Sequence, residues 1–74
     1  MAEPDPVSWM VVEKGWRVFN ADGKELGRVD EVLGDPEADI FDGLNVKHGL
    51  LGSPEYYPAE LVREIREGEI HLSA

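Results

Sequence analysis

The sequence contains no cysteine, so neither a disulfide nor a thiolate metal site can support the fold. Its two histidines, His48 and His71, stand far apart in the chain, which argues against a structural zinc site. The 74 residues make one domain at most, and a domain of this size buries only about 60% of the surface that its unfolded chain exposes. With disulfides and zinc set aside, self-association is the remaining source of extra stability.

Basic residues are also scarce, since 7 Lys and Arg stand against 16 Asp and Glu and give a formal net charge of −9. A nucleic-acid-binding protein must neutralise phosphates with lysine and arginine, and an anionic membrane surface attracts the same residues. The composition therefore predicts no nucleic-acid partner and no membrane-surface partner. Solubility is the plainest interpretation of the excess acid.

No apolar run is long enough to cross a membrane, because the longest, Trp9–Val12, is far short of the roughly 18 residues that a span requires. We therefore expect no membrane insertion. The first residues lack the basic segment followed by an apolar segment that marks a secretion signal, so we expect a cytoplasmic protein.

The first six residues, MAEPDP, hold two prolines and two acids, and they are predicted to form a disordered end. Residues 7–74 are predicted to form a single domain. It begins with an extended segment from Val7 to Val12, in which Trp9 and Val11 share one face.

The stretch from Gly15 to Gly34 predicts two strands joined by a tight turn. Asn20-Ala21-Asp22-Gly23 is the turn, because Asn and Asp side chains bond back to the backbone and Gly accepts a positive φ. The return strand runs from Glu25 to Gly34. These two strands organise the rest of the predicted fold.

Two features of the return strand predict irregular pairing. Strict alternation places Val29 and Val32 on opposite faces, and one extra residue near Asp30-Glu31 would bring them to the same side. We therefore predict a β-bulge there, which also gives the bend that a barrel needs. Gly27 has no side chain, so we expect a neighbouring strand or ring to pass close to it.

Later segments complete an all-β pattern. Ile40 to His48 is predicted to form a strand with Leu44 and Val46 facing inward, and Glu55 to Tyr57 extends toward a proline. Turn signals every eight to twelve residues are typical of a sandwich or barrel.

The segment Ala59–Glu67 supports two interpretations. An apolar spacing of four residues favours a short helix, whereas Glu67-Gly68 also sits where a hairpin turn would lie. We predict one helical turn and then two short strands, in which Ile65 faces Ile70 across the hairpin.

The order of these motifs resembles that of PRC-barrel domains. The resemblance rests on Gly15-x-x-Val18, Asp22-Gly23, Leu26-Gly27-x-Val29-x-x-Val32-Leu33, Leu44-x-Val46, Gly49-Leu50-Leu51-Gly52, Tyr57-Pro58-Ala59-x-x-Val62 and Ile70-x-Leu72. It covers the chain from Val12 to Ser73. Each motif is common alone, and the order and spacing together make the resemblance specific.

The resemblance implies a small closed or partly open β-barrel of about six strands with one short helical turn, an architecture that manages sheet edges by curling. The family is named for the cytoplasmic part of the H subunit of photosynthetic reaction centres, and it also forms half of a ribosome maturation factor. Its members are regarded as adaptor or assembly modules. The sequence shows neither the membrane helix of the first nor the extra domain of the second, so the resemblance implies only a contact module.

The residues themselves point to no catalytic site. Ser8, Ser53 and Ser73 have no histidine nearby in a nucleophile-elbow context. His71 alternates with apolar neighbours and should face solvent, and both His48 and His71 are expected to be exposed or hydrogen-bonded structural histidines. We therefore expect a non-enzymatic protein without a cofactor.

The acidic loop of residues 35–42 raises the alternative of a small-ligand or cation-binding domain. An EF-hand that began at Asp35 would need glycine at its sixth position and glutamate at its twelfth, where the chain has Ile40 and Val46. That motif is therefore absent, and only a looser cation site is left as the alternative.

Exposed aromatic and apolar side chains are the candidate interaction surface. Adjacent Tyr56 and Tyr57 must face opposite ways in a strand, so at least one should lie outside, and a loop rarely buries two leucines. The candidate residues are Trp9, Leu50, Leu51, Tyr56 and Tyr57. The predicted function is a protein-interaction or assembly module that either forms a homodimer or docks on a partner protein, whose identity the sequence does not give.

Overall fold

The computed structural model describes residues 8–49 and 52–74. They form six strands: β1 (Arg17–Phe19), β2 (Glu25–Asp35), β3 (Ile40–Lys47), β4 (Glu55–Pro58), β5 (Val62–Arg66) and β6 (Glu69–Leu72). Two 3₁₀ turns, Trp9–Val11 and Ala59–Leu61, complete the elements. The all-β prediction is confirmed. The predicted disordered end at residues 1–6 and the two loop leucines, Leu50 and Leu51, lie outside the described residues.

The six strands lie in one sheet in the order β4-β3-β2-β1-β6-β5. All neighbours are antiparallel except β1 and β6, which run parallel. Strands β4 and β5 are the two edges, and no ladder joins them within the described parts of the chain. The sheet is therefore not closed, and of the two predicted forms the closed barrel is wrong.

The predicted hairpin of β1 and β2 is confirmed. Asn20 Oδ1 accepts hydrogen bonds from the backbone N–H groups of Asp22 and Lys24, each at 2.9 Å. Gly23 has a φ of +83°, a conformation that other residues adopt only with strain. These local bonds fix the turn, and the turn brings β1 against the start of β2.

The predicted bulge in β2 is also confirmed. Val29 pairs with Val46 while Glu31 pairs with Asn45, so Asp30 is the extra residue. Val29 is 2% exposed, and Val32 packs against the same core although alternation alone would place it outside. The bulge therefore reverses the alternation in the second half of β2, so that Val32 faces the core as Val29 does.

One face of the sheet carries the core, which consists of Val12, Val18, Val29, Leu44, Val46, Ile70 and Leu72. The inward prediction for Leu44 and Val46 is confirmed, since both are 0% exposed. We use "outer face" for the opposite side of the sheet. Within the described residues, no polar or charged side chain is buried.

The prediction for Ala59–Glu67, one helical turn and then two short strands, is confirmed. One 3₁₀ turn, Ala59–Leu61, leads into β5, and β5 returns as β6 with Ile65 opposite Ile70. A helix through this segment is therefore wrong. The apolar side chains gain more by pairing across the hairpin to the core than by local helix formation, which short segments support poorly.

Near the surface, one sequence-based prediction fails and another holds only in part. Trp9–Val11 is a 3₁₀ turn rather than extended, because Ser8 Oγ accepts the backbone N–H of Met10 at 3.2 Å and caps the turn. The prediction for His71 holds in part: its Nε2 lies 3.0 Å from Glu69 Oε1, as a hydrogen-bonded histidine requires, but its ring stacks on Phe19 at a centroid distance of 5.0 Å and its side chain is only 22% exposed. Alternation placed His71 on the outer face correctly, but an aromatic neighbour covers it there.

Candidate functional site

The open side of the sheet holds a groove of about 370 Å³. Its lining residues are Trp9, Phe41, Ala59, Val62, Arg63, Glu64 and Ile65, and we name it the seam groove. Phe41 belongs to β3 and four of the others belong to β5. The groove therefore lies where the sheet would close into a barrel if the two edge strands, β5 and β4, were paired.

Trp9 forms one wall of the seam groove and is held by the end of the β2–β3 hairpin. Its ring stacks on Phe41 with centroids 5.3 Å apart and planes 12° apart. Its Nε1 donates to Asp39 Oδ1 at 3.0 Å. The ring also lies over Gly34, where a Cβ atom would come within 3.0 Å of it. Trp9 is thus fixed by its own chain and stays half-buried, with part of its surface facing the groove.

Apolar side chains are exposed beside the same turn and hairpin end. Met10, Val11 and Ile40 are 45%, 49% and 58% exposed. Val11 also borders a second hollow of about 290 Å³ with Trp16, next to the first turn. Large apolar side chains that are left in water in this way are typical of a contact surface.

Tyr56 and Tyr57 face opposite sides of β4, as the sequence predicts. Tyr57 packs against the core, and its hydroxyl donates to Glu55 Oε1 at 3.1 Å and lies 3.3 Å from His48 Nε2. Tyr56 is 46% exposed on the outer face, where its hydroxyl lies 3.0 Å from both the backbone oxygen and Oδ2 of Asp42.

The structure therefore does not bring the candidate interaction residues into one surface. Trp9 lies at the seam groove, Tyr57 lies against the core, and Tyr56 lies on the outer face. Leu50 and Leu51 fall outside the described residues, so their part in a contact stays a prediction. Phe41 and the β5 residues of the groove escaped the sequence reasoning, because only tertiary structure shows that the sheet stays open beside them.

Both β4 tyrosines are expected to ionise above their ordinary pKa of 10.0. Desolvation raises the pKa of Tyr56 most, followed by its hydrogen bond to Asp42, and the pKa of Tyr57 rises through desolvation and its bond to Glu55. Because the folded-state pKa values are raised, the folding stability that depends on protonated Tyr56 and Tyr57 is fully present below pH 10. It is lost as the pH rises through the folded-state pKa values. Absorbance of tyrosinate during an alkaline titration checks this, and denaturant should return both groups to ordinary values. Ionisation of both tyrosines at or below pH 10 in the folded protein would contradict it.

The acidic loop is occupied by structural contacts. Asp35 Oδ1 accepts the backbone N–H of Glu37 at 3.1 Å, Asp39 accepts from Trp9, and Asp42 accepts from Tyr56. Among residues 8–49 and 52–74, no three acidic or histidine side chains lie close enough to hold one metal ion. The alternative prediction of a cation site in this loop therefore has no geometric support in the described chain.

Comparison with known protein families agrees with the observed all-β fold. No described helix has the length and apolar character that crossing a membrane requires. A search of the curated proteins returns no match. The family model described as PRC-barrel domain matches residues 14–73, which is nearly the whole chain and includes all six strands. This chain is a member of the PRC-barrel domain family.

Proposed function

We propose that this domain is a non-enzymatic protein-interaction module that associates with itself or docks on a partner protein. In this proposal the six strands form a partly open barrel, and its open side is a contact side. The observation that carries the proposal is the exposure of apolar side chains beside the seam groove, with Ile40 58% and Val11 49% exposed. A partner that covers them would remove apolar surface from water, the main favourable term in association.

The composition of the core supports a contact role rather than an enzymatic one. The seven core side chains are all aliphatic, and no polar side chain is buried in the described chain. General acid–base chemistry relies on ionisable groups whose environment shifts their pKa, and buried sites do this best. Here the interior is filled for stability, and recognition is left to the surface.

The form of the two edge strands favours contact through side chains rather than through added strands. Strand β4 is only four residues long and ends at Pro58, which has no N–H to donate. Strand β5 carries a register shift between Val62 and Glu64 that leaves Arg63 unpaired in the ladder. Short strands, proline, bulges and charges all discourage pairing with another chain.

A double variant, Val11→Ser with Ile40→Thr, tests the contact at the seam groove. Both side chains are exposed, so the fold should keep its stability within about 0.5 kcal/mol. The unchanged protein should show a molar mass in light scattering that rises across the micromolar range, or should retain a partner from its own cell extract. The variant should lose much of this association, because the apolar area that it offers is smaller.

A matched control changes two exposed residues of the β1–β2 turn, Ala21→Ser with Lys24→Thr, which lie outside the groove. The control should behave like the unchanged protein. Two results together would contradict the proposed function. The protein would have to stay monomeric at all concentrations, and the parent, the double variant and the control would have to capture the same proteins.

A further inference from the structure

Three basic side chains form one row across the outer face. Arg17 of β1 stands opposite Arg28 of β2, and Arg28 stands opposite Lys47 of β3. All three are exposed, and each is next in sequence to a buried valine that faces the core. We name this set the basic row. It concentrates three of the chain's 7 basic residues at one level of the sheet.

The basic row is only partly neutralised within the chain. Arg17 pairs with Glu25 at 3.0 Å, and Arg28 donates to the backbone oxygen of Gly15 at 3.2 Å. Lys47 makes no ion pair with any described residue. Arg28 and Lys47 also border a hollow of about 340 Å³, together with Glu25. Glu69 of β6 stands opposite Arg17, so the acid lies at the β1 side of the row and not beside Lys47 in β3. Since like charges directly opposite each other destabilise a strand pair, the row weakens the isolated chain.

The opposite end of the same two strands is acidic. Asp35 closes β2, Glu37 follows in the turn, and Asp42 lies near the start of β3. We name these three residues the acidic end; within the described chain their carboxylates form no ion pair. Along β2, Asp35 is seven residues from Arg28, or about 23 Å at the usual strand rise. That exceeds the screening length of about 8 Å at physiological salt, so the two ends cannot neutralise each other within one chain.

We propose that a second copy of this chain docks on the outer face of β2, β3 and β4 in the antiparallel sense. In that arrangement the basic row of each copy lies over the acidic end of the other. The contact repeats itself about a two-fold axis, as isologous homodimer interfaces do. The inference rests on the proposed function, since it names one partner for a protein-contact module, but it uses a different surface from the seam groove.

The middle of the outer face suits such an axis. Glu31 stands opposite Asn45, and Asn45 stands opposite Tyr56, so one acidic and two neutral side chains share the central level. The axis would cross β2, β3 and β4 at this level, so the two copies of Glu31 would meet and repel, and the favourable contacts at the centre would come from Asn45 and Tyr56. Exposed Tyr56 then lies near the centre, and charges lie at the two ends, which matches the usual anatomy of an interface.

The test uses two variants with opposite charge. The first, Lys47→Glu with Arg28→Gln, makes both ends of the outer face neutral or acidic. The second, Glu37→Lys with Asp35→Asn, lowers the negative charge of the acidic end by three and leaves Asp42 in place, while the asparagine keeps an acceptor for the backbone N–H of residue 37. Lys24→Glu, in the turn and outside the row, is the control for a change in net charge alone. Thermal melts confirm that each variant is folded, and sedimentation measures association at low salt.

The unchanged protein should dimerise, and high salt should weaken the dimer. Each variant alone should dimerise about tenfold more weakly, because each altered charge pair occurs twice in a two-fold interface. An equimolar mixture of the two should recover a dimer within about threefold of the unchanged protein, since each altered end then faces an opposite charge. Lys24→Glu should leave the dimer as it is.

Three results would overturn the inference. One is a charge variant that dimerises as tightly as the unchanged protein, and another is a mixture no tighter than its components. The third is an unchanged protein that stays monomeric at every concentration, which would exclude a second copy as the occupant. A dimer that ignores the charge variants but weakens with Val11→Ser alone would overturn this inference while supporting the proposed function, whereas Ile40 is left unchanged in this comparison because it pairs with Asp35 of the acidic end.

Discussion

Replacement of Leu44 by alanine is expected to lower the free energy of unfolding by about 3 kcal/mol, which is a large share of the total for a domain of this size. Leu44 lies in β3 between Val32 of β2 and Tyr57 of β4, and it is 0% exposed. Leucine-to-alanine changes at such sites cost about 3 kcal/mol, because apolar contacts are lost and a cavity remains. A domain of 74 residues has about 4–11 kcal/mol of stability in total.

The matched control lies on the same strand. Ile40→Ala removes a similar number of carbon atoms from a side chain that is 58% exposed, so it should cost less than about 0.5 kcal/mol. Urea unfolding followed by tryptophan fluorescence and circular dichroism gives both values. Equal losses at Leu44 and Ile40 would show that the core does not lie on the assigned face of β3.

The parts of the fold that sequence reasoning captured are those that local chemistry determines. Leu44 and Val46 were placed by alternation alone, because the strand is buried on one face only. The turn at Asn20 was placed by side-chain chemistry, and the structure shows the expected bonds from its Oδ1. The bulge at Asp30 is predictable because strict alternation would place the apolar residues Val29 and Val32 on opposite faces, and one extra residue brings them to the same face.

In both main failures, contacts between residues distant in sequence contributed to the outcome, and at Trp9–Val11 they add to the local cap from Ser8. Trp9 reads as part of an apolar extended segment, but it stacks on Phe41 and donates to Asp39, 30 residues later. The closed barrel failed because alternation gives each strand a face and cannot say whether the outermost strands meet. Both facts depend on long-range packing, which overrides local preference.

The basic row was missed for a related reason. Alternation next to inward Val46 places Lys47 on the outer face, but nothing in the sequence fixes its position along the strands relative to Arg28 or Arg17. That level depends on strand register, which the turn, the bulges and the core fix together. A surface feature that spans three strands is therefore visible only in the folded chain, even though each of its residues is exposed and plainly charged.

The seam groove and the basic row lie on different faces, so a single copy could use both at once. The groove is lined from the core side of the sheet by Phe41 and Ile65, whereas Arg28 and Lys47 stand on the outer face. A dimer formed through the outer face would leave two seam grooves open. Two linked grooves raise the effective concentration of the second one for a partner with two binding segments. An outer-face dimer with two open seam grooves would therefore suit the proposed role as an assembly module.

Gly27→Ala should destabilise the protein by about 3 kcal/mol, at the upper end of the usual cost of overpacking, because the added atom meets backbone and not a movable side chain. A Cβ at this position would overlap the carbonyl oxygen of Lys47 in β3 and lie 3.0 Å from its carbonyl carbon. The two strands would have to separate where Gly27 also pairs with Val18 of β1.

Gly23→Ala separates this effect from the general cost of replacing a glycine. Gly23 lies in the same hairpin, and no atom lies within 4 Å of an added Cβ, but its φ is +83°. Its alanine variant should lose only about 1–2 kcal/mol, the strain of a left-handed conformation. Urea midpoints for the two variants and the parent rank the losses, and the m-values show whether the native state stays compact. Since a steric overlap with backbone has no cheap relaxation and a strained turn does, Gly27→Ala must be the more damaging change. A Gly27→Ala protein as stable as the parent would mean that β2 and β3 do not approach as closely as their pairing requires.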